Sequence, residues 1–290
     1  MEKSEVFFIK DITPENLVKI YGTLSHPLLG KVAVKLHSGE KGNLNYLKPE
    51  FVERIINYVN GTVVECNTAY EGARDTTKKH IELMKEHGWS KYFNVDIMDS
   101  EKPDLVLNVM NELRIPQNFV GNHIINYDSM LVLSHFKGHA MGGYGGALKQ
   151  LSIGCASSYG KKVIHGAGDP NQDMFKTEQD SFIESMADAA STVFNLFKNN
   201  IIFINVMKNL SVDCDCDGEA AAPCMKDIGV LASTDPVAID KACLDLIYNS
   251  NDPGKDIMIR RINSRHGTYL VDCAEEKEMG TKQYNLIEIK

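Results

Sequence analysis

Short runs of apolar residues recur along the chain, and polar or turn-forming residues bound each run. Apolar runs of this length are typical of strands that are buried on both faces of a parallel sheet. The pattern predicts strands at residues 6–9, 31–36, 62–66, 105–110, 130–133, 201–206 and 286–289.

The segments between these runs carry apolar residues at helical spacing. Thr13 and Asp235 each precede a proline, a pair typical of the N-cap and first position of a helix. A further helix is predicted to begin at Pro49. Thr177 and Asp180 resemble a capping box ahead of a long helix that ends near residue 197.

The alternation of strand, polar loop and helix predicts an α/β fold. Right-handed crossovers between parallel strands place helices on both faces of a mainly parallel sheet, in Rossmann-like layers. At 290 residues the chain is long enough for a single α/β domain over residues 1–290, and a second interpretation divides it into two lobes near residues 166–176. Loops that follow successive parallel strands share one edge of the sheet, where ligands bind in such folds.

Charge and hydropathy narrow the choice of partners. The formal net charge is −8 and no run of five like charges occurs, so neither nucleic acid nor an anionic membrane is expected as a partner. The amino terminus has acidic residues and no long apolar core, which argues against a signal peptide, and no apolar run approaches the length of a membrane span. We expect a cytoplasmic protein.

Titratable side chains follow directly after the strand predicted at residues 130–133. His135, Lys137 and His139 lie within a few residues of it, and burying them without partners would cost free energy. We therefore predict that these three residues and Lys149 are catalytic. Four glycines in the same stretch are expected to turn backbone N–H groups toward an anionic substrate, namely Gly142, Gly143, Gly145 and Gly146. A tight turn without a ligand is the alternative interpretation of these glycines.

Polar loops after two other predicted strands are expected at the same edge of the sheet. The first loop contains Asn43 and Tyr46, and the second contains Asn67 and Arg74. We predict that these four residues bind substrate. The alternative is that they are solvated loop residues, since most residues of such loops have no direct function.

Three of the seven cysteines are clustered, at Cys214, Cys216 and Cys224. In an extended segment Cys214 and Cys216 point to the same side while Asp215 faces the other way. Thiolates bind soft or borderline metals, so the cluster predicts a zinc or iron ion, or an iron–sulfur cluster. The C-x-C spacing differs from the two-residue spacing of structural zinc and ferredoxin sites, so reduced thiols or a redox pair are alternatives.

The cysteines follow the strand predicted at residues 201–206. If that strand is parallel to the one at residues 130–133, the loops after both strands meet at one edge. We therefore predict a mixed metal site drawn from the three clustered cysteines together with His135 and His139.

Several long motifs are spread over nearly the whole chain. They read GEKGNLNYLKP, NTAYEGAR, SHFKGH, GGYGGALKQLSIGCAS, then GK and His165, and finally CDC and DIGVLASTDPVAID. Together they resemble the family catalogued as domain of unknown function 362, whose members are commonly labelled uncharacterised iron–sulfur centre proteins. The resemblance implies an iron–sulfur or metal cofactor and a redox partner protein, and it implies no particular reaction.

One segment departs from the pattern of this family. Many relatives carry a ferredoxin-like segment with two C-x2-C-x2-C-x3-C-P runs after the position of His165, whereas residues 166–176 here contain no cysteine. The chain resembles a short form of the family, in which a cluster of the ferredoxin type is not expected. The soft ligands that remain are Cys155 and the three clustered cysteines.

Two classes of function follow from these residues. The first is a metal- or cluster-dependent enzyme with redox or acid–base chemistry on a small anionic molecule, in which Lys137, Lys149 and the glycines hold the substrate and His135 or His139 is the general base. The second is a metal or iron–sulfur binding protein without turnover, in which cysteines and histidines act only as ligands.

Overall fold

A computed structural model describes residues 3–290 of the chain. Its strands are β1 Ser4–Ile9, β2 Val32–Lys35, β3 Gly61–Glu65, β4 Val95–Ile97, β5 Leu105–Asn108, β6 Gln117–Val120, β7 Ser129–His135, β8 Lys137–His139, β9 Gly143–Gly145, β10 Ile201–Met207, β11 Gly229–Ser233 and β12 Tyr284–Glu288. Its α-helices are α1 Pro14–Tyr21, α2 Pro49–Tyr58, α3 Thr77–Glu86, α4 Trp89–Tyr92, α5 Ala147–Leu151, α6 Ser158–His165, α7 Gln179–Phe197, α8 Pro236–Tyr248, α9 Lys255–Asn263 and α10 Tyr269–Glu276.

Eight of the strands form one sheet in the order β12-β1-β11-β10-β7-β2-β3-β4. All neighbours in this sheet are parallel except β11, which is antiparallel to both β1 and β10. Helices cover both faces. The prediction of an α/β fold with a mainly parallel sheet flanked by helices is therefore confirmed.

The central strand β7 shows why residues 130–133 are apolar without interruption. Met130 and Val132 belong to the core on one face, with α5, α7 and α8, whereas Leu131 and Leu133 belong to the core on the other face, with α1 and α2. Side chains alternate between the two faces of a strand, so a strand covered on both faces needs a continuous apolar run.

The strand predicted at residues 105–110 is present as β5, which lies outside the main sheet and pairs antiparallel with β6. One local expectation is wrong. Helix α7 begins after Glu178, whose carboxylate accepts hydrogen bonds from the N–H groups of Asp180 and Ser181, so Thr177 is not the N-cap. The caps at Thr13 and Asp235 are found as predicted. Within residues 3–290, every helix falls short of the length or the apolarity that crossing a membrane requires.

Candidate functional site

The histidine and cysteine segments meet at the carboxyl edge of the sheet. Strands β7 and β10 are parallel, with His135 paired to Val206, so the segments that follow them leave the sheet side by side. One ring nitrogen of His139 and the Sγ atoms of Cys214 and Cys216 lie within 4.8 Å of one another. The sequence-based expectation that these two segments approach each other is met for these three residues.

Asp215 fixes the segment between the two cysteines. Its buried carboxylate accepts hydrogen bonds from His135 Nδ1 at 2.8 Å and Lys137 Nζ at 2.7 Å. The segment is a turn and not the extended segment that the sequence analysis expected. Burial opposes ionisation of Asp215, but the positive charges of His135 and Lys137 hold its pKa below the usual range.

Residues 214–217 form a turn, called the cysteine turn below, in which Asp217 N–H donates to the carbonyl oxygen of Cys214. His135 and Lys137 contact the cysteine turn through Asp215. His135 Nε2 also contacts the carbonyl oxygen of Lys208, so both ring nitrogens face acceptors, an arrangement that an imidazolium satisfies in full. Lys137 Nζ is likewise used by Asp215 and by the carbonyl oxygen of His135. Neither side chain has a lone pair that faces the solvent or a cavity. The hydrogen bonds of both side chains instead hold the cysteine turn in position.

The loop residues predicted to bind substrate lie at different places. Asn43 donates hydrogen bonds from Nδ2 to the carbonyl oxygens of Cys214 at 3.3 Å and Asp217 at 2.7 Å, so it shapes the cysteine turn. The ring of Tyr46 stacks on His87, outside the site. Asn67 is held by Thr77, His80 and Asp99.

A pocket of about 200 Å³ opens beside the three soft ligands. Its walls include His139 and Cys216 together with Arg74 and Lys149, all four of which were singled out from the sequence. They also include seven titratable residues that were not assigned to the site, namely Lys35, His37, Glu65, Cys66, Tyr70, Lys161 and His165. Large apolar side chains line another part of the pocket: Met141, Ile153, Met174 and Phe175. Four cationic side chains around one cavity favour an anionic ligand.

Two of these cations already have carboxylate partners. Arg74 Nε donates to Glu40 Oε2 at 3.1 Å, and Arg74 Nη2 is at the same distance from that oxygen. Lys35 Nζ is 4.0 Å from Glu65 Oε1. Burial lowers the pKa of Lys35, while the negative charge of Glu65 raises it. These two pairs leave Lys149 and Lys161 as the cations without a carboxylate partner on the pocket wall.

The histidines of the pocket are held as distinct tautomers. His139 Nδ1 accepts hydrogen bonds from the N–H groups of Met141 at 3.2 Å and Gly142 at 2.9 Å, so a neutral ring carries its proton on Nε2. His165 Nδ1 instead donates to the carbonyl oxygen of Lys161 at 2.6 Å, and burial lowers the pKa of His165 to about 4. His165 is therefore neutral near pH 7 and keeps an acceptor nitrogen at Nε2.

The two thiols of the cluster share one proton between them. A hydrogen bond from the Cys216 thiol lowers the pKa of Cys214, burial raises it, and the positive charge of Lys149 lowers it further. The same hydrogen bond raises the pKa of Cys216. The backbone N–H of Cys216 also lies 3.4 Å from Cys214 Sγ. Cys214 is therefore the thiolate of the pair. Cys224 lies outside the cluster, with its Sγ near the carbonyl oxygen of Leu210.

The glycine-rich stretch packs closely against its surroundings. A Cβ atom on Gly146 would lie 2.4 Å from Asp240 Oδ1, and Gly143 has a φ of +80°. The carboxylate of Asp240 accepts the N–H groups of Ala147 and Leu148 at the start of α5. Those N–H groups thus already have an anionic partner within the protein. That the four glycines bind a substrate anion stays a prediction.

Two of the residues that sequence reasoning missed carry a recognisable signal. Lys35 is the last residue of β2 and Glu65 is the last residue of β3, and both follow apolar strand positions. A charged residue at the carboxyl end of a predicted buried strand faces the ligand-binding edge. Glu65 is held there by Ser38 and His80, at 2.6 Å from Ser38 Oγ and 2.8 Å from His80 Nε2. Lys161, on α6, has no comparable signal in its immediate sequence.

Two solved structures are similar to this chain at low identity. The apoprotein of lactate racemase from Thermoanaerobacterium thermosaccharolyticum matches with a TM-score of 0.47 and 13% identity, over 85% of this chain and 58% of that one. A protein from Thermotoga maritima matches with a TM-score of 0.47 and 12% identity, over 91% of this chain and 58% of that one. The chain thus spans little more than half the length of either protein.

Comparison at the level of sequence gives a more specific result. None of the curated proteins that were compared matches this chain. The family model described as "Domain of unknown function (DUF362)" matches residues 32–245, which is most of the chain. The motifs that carry the resemblance, from GEKGNLNYLKP to DIGVLASTDPVAID, all lie within those residues. The chain therefore belongs to the DUF362 family.

Proposed function

We propose that this protein is a metal-dependent enzyme that acts on a small anionic substrate. The observation that carries the proposal is the position of His139 and Cys216, which belong to the group of three soft donors and also line the cationic pocket. A site with three protein ligands keeps a coordination position for water or substrate, which is typical of catalytic zinc and not of structural zinc.

The donor set fits zinc or iron in its chemistry. Two thiolates and one imidazole are ligands that both metals accept, and donor atoms within 4.8 Å of one another are close enough to share one ion. Neither ring nitrogen of His139 is free to coordinate a metal in this arrangement. Nδ1 accepts hydrogen bonds from the N–H groups of Met141 and Gly142, so a neutral ring carries its proton on Nε2. Coordination through either nitrogen therefore requires residues 140–142 to rearrange.

The residues around the three donors have the other roles in the proposed reaction. A bound metal ion would supply Lewis-acid chemistry at the edge of the pocket. Lys149 and Lys161, the two pocket cations without a carboxylate partner, attract and orient the anionic group of the substrate. Nε2 of His165, as the acceptor nitrogen of a neutral ring, accepts a proton from the substrate. His135, Lys137 and Asn43 hold the cysteine turn in place. A redox reaction would in addition need a partner protein to exchange electrons.

The alternative is a protein that binds metal without turnover. A closed coordination shell would support it, whereas an open position facing the pocket supports the enzyme. Cobalt(II) distinguishes the two cases, because its visible absorption bands depend on the number and type of its ligands.

We expect the absorption bands of the cobalt-substituted protein to shift when azide is added, because the anion enters the open position beside Lys149. Lys149→Met should weaken the binding of azide by at least about tenfold, since it removes a buried positive charge next to the site. Lys162→Met is the matched control, because Lys162 is exposed on α6, and it should leave the titration unchanged. Bands that do not respond to azide would favour the non-catalytic protein.

A further inference from the structure

Two buried ammonium groups of the pocket form no ion pair with a carboxylate of residues 3–290. Lys149 is 6% exposed and Lys161 is 8% exposed, and both line the cavity. Lys161 Nζ donates to the carbonyl oxygen of Ala156 at 2.6 Å, and neither lysine forms an ion pair with any carboxylate of residues 3–290. Burying a charge without a partner costs several kcal/mol per ion, so such groups are normally paired.

The two lysines also act on each other. Burial lowers the pKa of Lys161, the nearby Cys66 and Asp99 raise it, and the positive charges of Arg74 and Lys149 lower it. Lys149 has a lowering effect on the pKa of Lys35 in the same way, after burial. Like charges that are close enough to affect one another are stabilised together by a single anion between them. The positive charge of Lys149 also lowers the pKa of Cys214, so this thiol is a further negative group close to Lys149.

The pocket offers point charges and no free guanidinium fork. Arg74 directs Nε and Nη2 to Glu40, and Nη2 also donates to the hydroxyl of Tyr70 at 3.1 Å. A free bidentate arginine recognises both carboxylate and phosphate, whereas lysine ammonium groups bind phosphate as point charges. Two ammonium charges match the two negative charges of a phosphoryl dianion better than the single charge of a carboxylate.

The opposite end of the pocket is apolar. Met141, Ile153 and Met174 line it, and Phe175 stands at its mouth with 81% of its surface exposed. Large apolar side chains at a pocket mouth gain free energy when a ligand covers them.

We propose that the ligand of this pocket is a phosphate monoester of a small apolar alcohol, with its phosphoryl dianion between Lys149 and Lys161 and its apolar group against Met141, Met174 and Phe175. This proposal rests on the pocket of the proposed function and names its substrate class. It does not depend on the metal, because neither lysine belongs to the group of soft donors.

Calorimetric titration with phenyl phosphate as the probe tests the ligand class, at about pH 8 where a phosphate monoester is a dianion. We expect phenyl phosphate to bind at least about tenfold more tightly than inorganic phosphate, which lacks the apolar group. Its affinity should also exceed that of benzoate by a similar factor, because benzoate has the apolar group but only one negative charge. If benzoate binds as tightly as phenyl phosphate, the claim that the pocket selects a dianion is wrong. If inorganic phosphate binds as tightly, the claim that the apolar end contributes to binding is wrong.

Variants locate the binding site. Lys149→Met and Lys161→Met should each weaken phenyl phosphate binding by at least about tenfold, because each removes one of the two charges. Lys162→Met, next to Lys161 on the exposed side of α6, is the matched control and should have no effect. Methionine fills the space of the lysine stem, and thermal unfolding of each variant verifies its fold. Folded variants that both bind phenyl phosphate like the parent protein would overturn the proposal.

The same titration on the Cys214→Ser, Cys216→Ser double variant separates this proposal from the proposed function. We expect the double variant to bind phenyl phosphate within about threefold of the parent protein, since the lysines remain. If the parent protein binds phenyl phosphate but no metal, the metal-dependent function fails and the ligand class stands. If the parent protein binds metal but not phenyl phosphate, the ligand class fails and the metal site stands.

Discussion

Replacing Asp215 with alanine is expected to lower the free energy of unfolding of the metal-free protein by about 3–5 kcal/mol. The carboxylate is 1% exposed and holds both His135 and Lys137, at 2.8 Å and 2.7 Å. Its removal leaves the buried ammonium group of Lys137 without its carboxylate partner and His135 Nδ1 without its acceptor, and the cost of the uncompensated buried charge exceeds that of the lost contacts. Urea unfolding in the presence of a chelator measures the effect without any contribution from bound metal.

Asp213→Ala is the matched control for this prediction. Asp213 lies two residues away and forms an ion pair with Arg261 at 3.1 Å, but the two side chains are 18% and 26% exposed. Ion pairs that solvent reaches contribute at most about 1 kcal/mol, so this variant should be close to the parent protein. If Asp213→Ala and Asp215→Ala lower the free energy of unfolding equally, the hydrogen bonds of Asp215 with His135 and Lys137 contribute no more stability than an exposed ion pair.

Replacing Cys214 and Cys216 together with serine is expected to reduce bound metal at least about tenfold, from about one ion per chain. Serine is a poor ligand for zinc and iron(II) compared with a thiolate, and His139 alone cannot hold the ion. The metal content of protein that has been purified anaerobically and desalted gives the result by elemental analysis.

Cys224→Ser separates the structural account from one based on the sequence alone. The sequence places Cys224 in the same cluster, whereas the structure leaves it outside the group of three donors. The variant should therefore keep the metal content of the parent protein. Loss of metal in Cys224→Ser would show that the loop adopts a different arrangement when it binds an ion.

The sequence predicts the approach of the histidine and cysteine segments because buried strands can be identified from local pattern. Continuous apolar runs identified β7 and β10 as buried strands, and the polar loops that follow them were expected at one edge. The same reasoning placed Arg74 and Lys149 at the site. It could not foresee that β11 runs antiparallel to β1 and β10, because direction in a sheet depends on tertiary pairing.

Side-chain direction within loops is the part that sequence did not predict. Asp215 reads as one acidic residue among several, yet it is the buried partner of His135 and Lys137. His135 and His139 have the same sequence signal, but His135 is hydrogen-bonded to Asp215, whereas His139 lies beside the thiols of Cys214 and Cys216. These differences depend on hydrogen bonds between segments far apart in the chain, which no local pattern encodes.

X-ray absorption at the metal edge of the loaded protein tests the central claim most directly, because it reports the ligand atoms themselves. The account predicts two sulfur ligands at about 2.3 Å and one imidazole nitrogen at about 2.0–2.1 Å, with a lighter ligand in the remaining position. The signal should lose its sulfur component in the Cys214→Ser, Cys216→Ser variant and keep it in Cys224→Ser. A spectrum with four sulfur ligands, or with none, would contradict a site formed by His139, Cys214 and Cys216.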